Sequence, residues 1–309
     1  MTRTEQFEEL RPLLFSIAYR ILGSVSEAED AVQETWLRYQ NSPTEVNAPK
    51  AFLSAVVTRI SLDVLKSARV RREEYGEPWF PEPLLTDPYQ DPERSAELAD
   101  SVSMAALLLM ERLSPLERAV FVLRDVFAFD YAEVATAVGR SEAACRQLVV
   151  RARKHVTEGR PRFQADKKAH AQLAGRFFDA FKLGDVDALQ SLLAADVVLQ
   201  GDGGGKGPQY GKGIFGARNV ARAFISTGVP LFLRIGGIVE QRTVNGQPGA
   251  VFRDPDGDVV GVMALEILDG QIQTIRGVTN PDKLRHLGPL GDAWEVRRDM
   301  NQARRHSRD

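Results

Sequence analysis

A cluster of basic side chains near the middle of the chain offers the clearest chemistry in this sequence. Five of them fall within fifteen residues, with Glu142 as the single acid among them. The five are Arg140, Arg146, Arg151, Arg153 and Lys154. Guanidinium and ammonium groups bind phosphate oxygens, and arginine also reads base edges in the major groove of DNA. Because the whole chain has a net charge of −2, a nucleic-acid partner must be met by a local patch of this kind.

The pattern around this cluster predicts a helix-turn-helix. The stretch "YAEVATAVG" is followed by "RSEAACRQLVVRARKHV", which indicates two helices joined at a glycine, with Ser141 capping the second. The predicted buried stripe of the second helix consists of Cys145, Val149, Ala152 and Val156. The opposite face, predicted to read DNA, comprises Ser141, Glu142, Ala144, Arg146, Gln147, Val150, Arg151 and Lys154. A solvated basic face with no DNA partner is the alternative at this point.

Catalytic and metal-binding chemistry have weaker support. One cysteine and four histidines give neither a disulfide within the chain nor a metal-ligand spacing. The glycine-rich stretch "QGDGGGKGPQYGKG" fails the P-loop pattern at its first glycine and at the hydroxyl that should follow the lysine. The sequence therefore predicts no cofactor and no metal. Acid–base candidates without a spacing that demands catalysis are Asp179, Asp196, Asp202, Glu240, Glu266 and His286.

The elements that position these residues fall into three blocks, as a length of 309 residues suggests. The first two blocks have helical periodicity, and a proline-rich linker joins them. This linker contains Trp79, Phe80, Leu84 and Leu85, so we expect it to dock on another part of the protein. The predicted boundaries are residues 1–75, a linker at 76–100, 101–160, 161–290 and a polar, frayed tail at 291–309.

The third block changes in character after about Lys168. Two helical segments precede β-rich stretches, among them "LFLRIGGIVEQRTV" and "DVVGVMALEIL". Turn signals at Asn245-Gly246, Pro255 and Leu268 separate these stretches, which predicts an antiparallel meander and an α+β domain. The predicted fold is therefore multidomain, with two all-α domains followed by an α+β domain.

The first two blocks together resemble the extracytoplasmic-function (ECF) sigma factors of bacterial RNA polymerase. The resemblance rests on "AEDAVQETWLR", "AFLSAVVTRISLDVLKSARVRR", "LSPLERAVFVLRDVFAFDYAEVA" and "SEAACRQLVVRARK", in this order, between about Phe7 and Val156. It implies a protein that binds core RNA polymerase and promoter DNA. The polar start "MTRTEQFEEL" and the lack of a long apolar run favour a cytoplasmic protein without a membrane partner. A repressor that binds duplex DNA without polymerase is the rival interpretation.

The resemblance also implies roles for individual residues. The helix that contains "EDAVQETW" would bind the largest polymerase subunit through Asp30, Ala31, Val32, Gln33 and Glu34. The following loop and helix would hold the melted −10 strand, with the candidates Asn41, Asn47, Lys50, Arg59 and Lys66. The helix-turn-helix would read the −35 element. Leu148 and Val150 stand where many relatives carry polar or basic residues, so the preferred −35 sequence stays open.

The third block resembles the SnoaL-like cyclases and isomerases, a conical α+β fold with a pocket. Three stretches, "PWFPEPL", "DGGGK" and "NPDKL", are similar to the signatures of an ECF subgroup with a fused SnoaL-like domain that adjusts sigma activity in cis. They supply the regulatory candidates Trp79, Pro81, Asp202, Gly203, Gly204, Gly205, Lys206, Asn280, Pro281, Asp282, Lys283 and Leu284. The pocket fold keeps an enzyme as a rival, and whether a small ligand enters the pocket stays open.

Overall fold

The computed structural model of the chain describes residues 2–43, 46–73, 79–89, 91, 93, 98, 100–157, 167–208 and 212–306. The chain divides into two compact units. The first unit comprises Met1–Gly76 and Thr86–Arg160, and the second comprises Glu77–Leu85 and Pro161–Asp309. Part of the proline-rich linker therefore belongs to the second unit, which confirms the expectation that it docks.

The described part of the first unit consists of helices and the loops that join them. Helices α1 to α3 belong to the first sequence block and helices α4 to α7 to the second, and a π-helical turn at Val122–Val126 directly follows α5. The helices are α1 (Arg3–Leu22), α2 (Val25–Gln40), α3 (Pro49–Glu73), α4 (Met104–Met110), α5 (Pro115–Phe121), α6 (Tyr131–Val138) and α7 (Glu142–Thr157).

Local capping chemistry fixes the ends of the helices that matter most for function. Ser114 and Glu117 form a capping box at the start of α5, with Pro115 in the first turn. Helix α6 ends at Gly139, whose φ of 65° lies in the left-handed region that favours glycine. Ser141 Oγ accepts a hydrogen bond from the Ala144 amide at 3.2 Å, so α7 begins where the sequence predicts. The predicted helix-turn-helix is therefore present as α6 and α7.

A buried arginine organises the interior of the first unit. Arg20 is fully buried, and its guanidinium donates to Asp87 Oδ2 at 2.8 Å, to Ser101 Oγ at 2.8 Å and to the Leu98 carbonyl at 2.9 Å. It also lies 5.2 Å from the centroid of the Phe127 ring. Since a buried charge is tolerated only when it is paired and hydrogen-bonded, this network ties α1 to the chain that precedes α4.

The second unit is an α+β domain, as predicted. Its six-stranded sheet has the order β2-β1-β6-β5-β4-β3, in which the β1–β6 pair is parallel and the other pairs are antiparallel. The strands are β1 (Leu193–Asp202), β2 (Ile214–Phe215), β3 (Ile238–Val244), β4 (Gln247–Arg253), β5 (Val259–Leu268) and β6 (Gln271–Val278). The helices are α8 (Lys167–Leu183), α9 (Val186–Leu192), α10 (Ala217–Thr227), α11 (Val229–Arg234) and α12 (Ala293–His306).

Phenylalanines fill the space between the helices and the sheet. Phe177 and Phe181 of α8 contact Phe224 of α10 with ring centroids 6.0 and 5.0 Å apart. Phe252 of β4 lies 6.2 Å from Phe181 and 5.9 Å from Phe232 of α11. Edge-to-face pairs of this kind stabilise a core beyond the area that they bury.

Two segments differ from the sequence-based expectation. The stretch that begins at Leu231 was expected to be β-rich, but it lies in α11, where Pro230 occupies the first turn, and β3 begins only after Gly236 and Gly237. The expectation of a frayed tail was also wrong, because α12 is a helix whose Val296 packs in the core of the unit. Among the described residues, no helix combines the length and apolarity needed to cross a membrane.

The Arg20 network predicts a large loss of stability on substitution. Arg20→Met leaves the Asp87 carboxylate without its buried partner, so we expect the unfolding free energy to fall by about 3 kcal/mol in urea or thermal unfolding. Arg11→Met is the matched control, because Arg11 forms an exposed ion pair with Glu29, and its loss costs about 1 kcal/mol or less. Equal losses for the two variants would contradict this role for Arg20.

Candidate functional site

The proline-rich strap, defined here as residues 79–85, is held in the second unit by a buried ion pair. Asp202, at the end of β1, accepts the Phe80 amide at 2.8 Å and the Lys283 ammonium at 2.6 Å on the same oxygen, Oδ2. Lys283 also donates to the Phe80 carbonyl at 2.6 Å. Both partners are buried, and together they satisfy the backbone amide and carbonyl of Phe80, in a segment whose prolines exclude it from regular structure.

An aromatic ring covers the same ammonium group. Lys283 Nζ lies 4.4 Å from the centroid of the Trp79 ring, within range of a cation–π interaction. The lysine ammonium thus meets a carboxylate, a carbonyl and a ring. Pro81 follows Phe80 in the sequence and Leu284 follows Lys283, and both of these motif residues are buried.

The glycine-rich loop after β1 forms a second, exposed connection. Gly204 and Gly205 have φ values of 59° and 67°, and this left-handed turn directs Lys206 toward Asp282. Lys206 Nζ lies 2.5 Å from Asp282 Oδ2, and this hydrogen bond holds the pKa of Asp282 below its ordinary value, with Arg285 lowering it further. The Asp202 carbonyl accepts the Thr279 and Asn280 amides at 2.9 and 3.1 Å, so the "DGGGK" and "NPDKL" segments are adjacent.

The other end of the strap is held by a turn residue that the sequence assigned only to a hairpin. Asn245 lies between β3 and β4. Its side-chain Oδ1 accepts a hydrogen bond from the Leu84 backbone amide at 3.1 Å, and its backbone amide donates to the Leu84 carbonyl at 2.7 Å. His286 Nε2 donates to the Pro83 carbonyl at 2.6 Å. Neither residue belongs to the predicted regulatory set, because no local pattern reports a contact over such a sequence distance. We call the strap with Asp202, Asn245, Lys283 and His286 the clasp.

The structure thus brings most of the predicted regulatory residues together in one place. Asp202 and Lys283 form the clasp with Trp79, while Gly203, Gly204, Gly205 and Lys206 form the adjoining turn. Asn280 accepts the Asp282 amide at 3.1 Å and so shapes the short 3₁₀ turn Pro281–Lys283 that presents Lys283. Their regulatory role stays a prediction.

The outer face of α7 has the composition that the sequence predicts. Cys145, Val149, Ala152 and Val156 are buried, and burial raises the pKa of the Cys145 thiol. Val150 is 66% exposed at the centre of the opposite face, whereas Leu148 is buried and belongs to the core. Ala144 is half-buried, and the exposed members are Ser141, Glu142, Arg146, Gln147, Val150, Arg151 and Lys154.

Internal partners hold three of the arginines on and beside this face. Arg146 pairs with Glu142 at 2.8 Å and lies 4.7 Å from the Tyr131 ring. Arg153 pairs with Asp125 at 2.7 Å, and this hydrogen bond raises the pKa of Arg153. Arg151 pairs with Glu117 at 3.0 Å. Desolvation raises the pKa of Glu117, but hydrogen bonds from Ser114 and Arg151 outweigh it, so this pKa is lowered overall.

Helix α2 corrects part of the predicted polymerase-binding set. Ala31 and Val32 are 2% and 1% exposed, so their side chains contact the core of the first unit and offer no surface to a partner. Asp30, Gln33 and Glu34 do reach the surface. The exposed Leu37 completes a stripe with the spacing i, i+3, i+4 and i+7, and the sequence analysis missed it. We call Asp30, Gln33, Glu34 and Leu37 the α2 stripe.

The predicted −10 residues have different surroundings. Asn41, Asn47 and Lys50 are exposed, and Lys50 lies 5.5 Å from the Phe129 ring. Lys66 pairs with Asp63 on its own helix at 2.9 Å. Arg59 donates to the Thr136 and Ala137 carbonyls at 2.5 and 3.1 Å, so it satisfies the C-terminal carbonyls of α6 in this structure. A strand of DNA would have to replace that contact.

Several acid–base candidates have partners that suit a structural role. Asp202 belongs to the clasp, and Glu266 pairs with Arg276 at 2.5 Å. Glu240 pairs with Arg253 at 3.3 Å. Asp196 lies exposed within β1. In the described part of the chain, no group of three potential metal ligands comes together.

The clasp predicts a specific change in amide exchange. In Lys283→Met the Asp202 carboxylate stays buried without its counter-ion, so we expect the Phe80 amide to exchange at least tenfold faster with deuterium. Lys206→Met removes the same charge from an exposed pair and should leave this amide protected. Unchanged exchange at Phe80 in Lys283→Met would show that the ion pair does not hold the strap.

Comparison with known proteins identifies the family to which the chain is similar. The model for sigma-70 region 2 matches residues 6–71, and the model for sigma-70 region 4 matches residues 103–156. The chain is 40% identical over 291 residues to the ECF RNA polymerase sigma factor SigJ of Mycobacterium tuberculosis, covering 90% of this chain and 92% of that protein. It is 32% identical over 284 residues to the probable ECF sigma factor SigI of the same species, covering 90% and 93%.

A solved structure agrees with this assignment over most of the chain. The crystal structure of Mycobacterium tuberculosis SigJ superposes with a TM-score of 0.71 at 36% identity, covering 93% of this chain and 100% of that one. Both sigma regions occur in the predicted order, and the similarity extends through the α+β unit. The chain therefore belongs to the ECF family of sigma-70 RNA polymerase sigma factors.

Proposed function

We propose that this protein binds core RNA polymerase and directs it to promoters, and that its C-terminal domain tunes this activity in cis. The observation that carries the proposal is the presence of both sigma-70 regions in a chain that is similar to ECF sigma factors over nine-tenths of its length. With this function the protein would act in the cytoplasm, where polymerase and promoter DNA are found. We assign residues 1–75 to region 2, 101–160 to region 4 and 161–309, with α12, to the SnoaL-like domain.

Each exposed helix face has a role in this proposal. The α2 stripe combines two carboxylates, an amide and an apolar side chain, a mixture suited to the helical surface of a protein partner. On α7, Arg146 and Gln147 read base edges, while Lys154 and Arg151 hold phosphates. Val150 offers an apolar surface that can contact the methyl group of a thymine.

The clasp is the element through which the C-terminal domain would act. Chain positions 76–100 connect the two sigma regions, and the clasp holds residues 79–85 of this connection within the second unit. Binding the strap shortens the free connection between the regions, which restricts their separation on a promoter. Because the strap and its dock belong to one chain, weak contacts suffice to populate the docked state. Polymerase and DNA shift the population toward the undocked state.

We propose no catalytic role for the C-terminal domain. The SnoaL-like resemblance implies a curved sheet round a pocket, whereas phenylalanines of α8, α10, α11 and β4 fill the space between the helices and the sheet in this protein. Asp202, Glu240 and Glu266 have ion-pair partners that account for their position. Turnover of a ketosteroid or polyketide by the purified chain would contradict this part of the proposal.

Transcription with purified components tests the main proposal. Core polymerase with the wild-type chain should give promoter-dependent RNA, and Lys283→Met should increase the yield because the strap is released. Arg242→Met, which removes one positive charge from an exposed pair with Glu240, should behave as wild type. No promoter-dependent RNA from any form of the chain would reject the function, whereas equal yields from both variants and from a chain truncated after Arg160 would reject only regulation in cis.

The α2 stripe predicts a defect in polymerase binding without loss of stability. Gln33→Ala combined with Leu37→Ala removes two exposed side chains, so the melting temperature should stay unchanged while affinity for core polymerase falls about tenfold or more in a pull-down titration. Glu9→Ala, an exposed change on α1, serves as the control. Wild-type affinity of the double variant would place the polymerase contact elsewhere.

A further inference from the structure

The two parts of the chain differ in charge. Residues 1–160 carry 20 basic and 25 acidic residues, for a net charge of −5, whereas residues 161–309 carry 20 basic and 17 acidic residues, for a net charge of +3. The C-terminal part is therefore net cationic, and the acidic excess of the N-terminal part lies in residues 76–100, which carry seven acidic residues and one basic residue. Such asymmetry within a chain is a general sign of contact with a polyanion.

The positive charge of the C-terminal part is concentrated in one stretch. From Gly203 to Val239 there is no aspartate or glutamate, and this stretch contains five cations. Lys206 is engaged by Asp282 next to the clasp, and Arg234 ends α11. The other three cations, Lys212, Arg218 and Arg222, are exposed around β2 and α10.

These three cations have no acidic partner among the described residues. Asp185 and Asp187 near α9, and Asp196 on β1, belong to elements that pack against α10, but none of them forms an ion pair within 4.0 Å of Arg218 or Arg222. Asp185 instead caps α9 by accepting the Ala188 amide at 2.9 Å. The cations therefore present their charge to solvent.

The local arrangement is electrostatically unfavourable unless an anion binds. Arg218 and Arg222 are spaced i, i+4 on one side of α10, where two like charges repel each other. Arg218 also lies in the first turn, where the helix dipole disfavours a cation and no acid compensates. Beside them Phe215 of the edge strand β2 is 58% exposed. We call Lys212, Phe215, Arg218 and Arg222 the α10 surface.

We propose that the α10 surface binds the phosphate backbone of duplex DNA, giving this sigma factor a DNA contact outside its two sigma regions. Arginine and lysine neutralise phosphates and release counterions, which gives affinity without sequence preference. Phe215 supplies an apolar contact to the sugar edge beside them. The choice of DNA as the polyanion rests on the proposed function. The observation that these cations lack acidic partners is independent of that function.

Salt-dependent binding of the full-length chain to a labelled duplex of unrelated sequence tests this surface without polymerase. Fluorescence anisotropy between about 50 and 200 mM KCl gives the slope of log K against log salt. Arg218→Ala combined with Arg222→Ala should reduce this slope by about 1.8, as expected for two lost phosphate contacts, with an affinity loss on the order of tenfold or more at low salt. Arg222→Ala alone should give half the change in slope.

A matched double variant controls for net charge. Arg242→Ala with Arg298→Ala removes the same charge from exposed arginines of the same unit that already pair with Glu240 and Asp292. Its slope should stay near that of the wild type. Equal slopes for the two double variants, or no binding by the wild-type chain at low salt, would overturn the proposal.

Crosslinking distinguishes DNA from an acidic protein surface. The variant Phe215→p-benzoylphenylalanine, irradiated in a complex with polymerase and promoter DNA, should crosslink to DNA. A crosslink to a polymerase subunit together with unchanged DNA binding would assign the surface to that partner and overturn the proposal. Failure of promoter-dependent transcription would reject the proposed function but leave the anisotropy result standing, so the two failures are distinguishable.

Discussion

The ion pair between Asp202 and Lys283 is the interaction on which the arrangement of the second unit depends. Two opposite charges lie together in the interior, and one carboxylate oxygen serves both the lysine and the Phe80 amide. Removing two such groups from water is costly, and the cost is offset only when each hydrogen-bonding position finds a partner. The strap supplies those partners, with a backbone amide, a carbonyl and the Trp79 ring. The strap therefore supplies the remaining interaction partners of the ion pair that holds it in place.

This dependence explains why a linker rich in proline belongs to a folded unit at all. The strap forms no helix or strand, so its polar backbone groups need side-chain partners if they are buried. Asp202 and Lys283 serve one end, and Asn245 and His286 serve the other. Between these ends the apolar side chains of Phe80 and Leu84 are buried. The sequence of this segment resembles that of a spacer, but in this protein the segment binds to the second unit of the same chain.

Sequence patterns predicted those features that local physics determines. The glycine joint at Gly139, the Ser141 cap and the stripe from Cys145 to Val156 are all encoded within one or two helical turns, and the structure has each of them. Hairpin turns at Asn245-Gly246 and Asp269-Gly270 were equally readable, because positive φ values favour these residues.

Features that depend on tertiary packing could not be read in the same way. Ala31 and Val32 match the motif of a binding helix, yet which side of α2 faces inward is decided by α1 and α3, so the exposed member proved to be Leu37. The apolar run at Leu231 fits a strand as well as a short helix, and Pro230 with the following glycines decides for the helix. The family resemblance identified the three motifs as regulatory candidates. Only the fold shows that one carboxylate oxygen of Asp202 binds both Phe80 and Lys283.

Asn245 illustrates how two demands can meet in a single residue. Its φ of 51° serves the turn between β3 and β4, and glycine would satisfy that demand equally well. The amide side chain serves a different purpose, since it hooks a segment 161 positions earlier in the chain. Hairpin formation therefore constrains only the backbone at this position, whereas retention of the distant segment constrains the chemistry of the side chain, and evolution could relax one without disturbing the other.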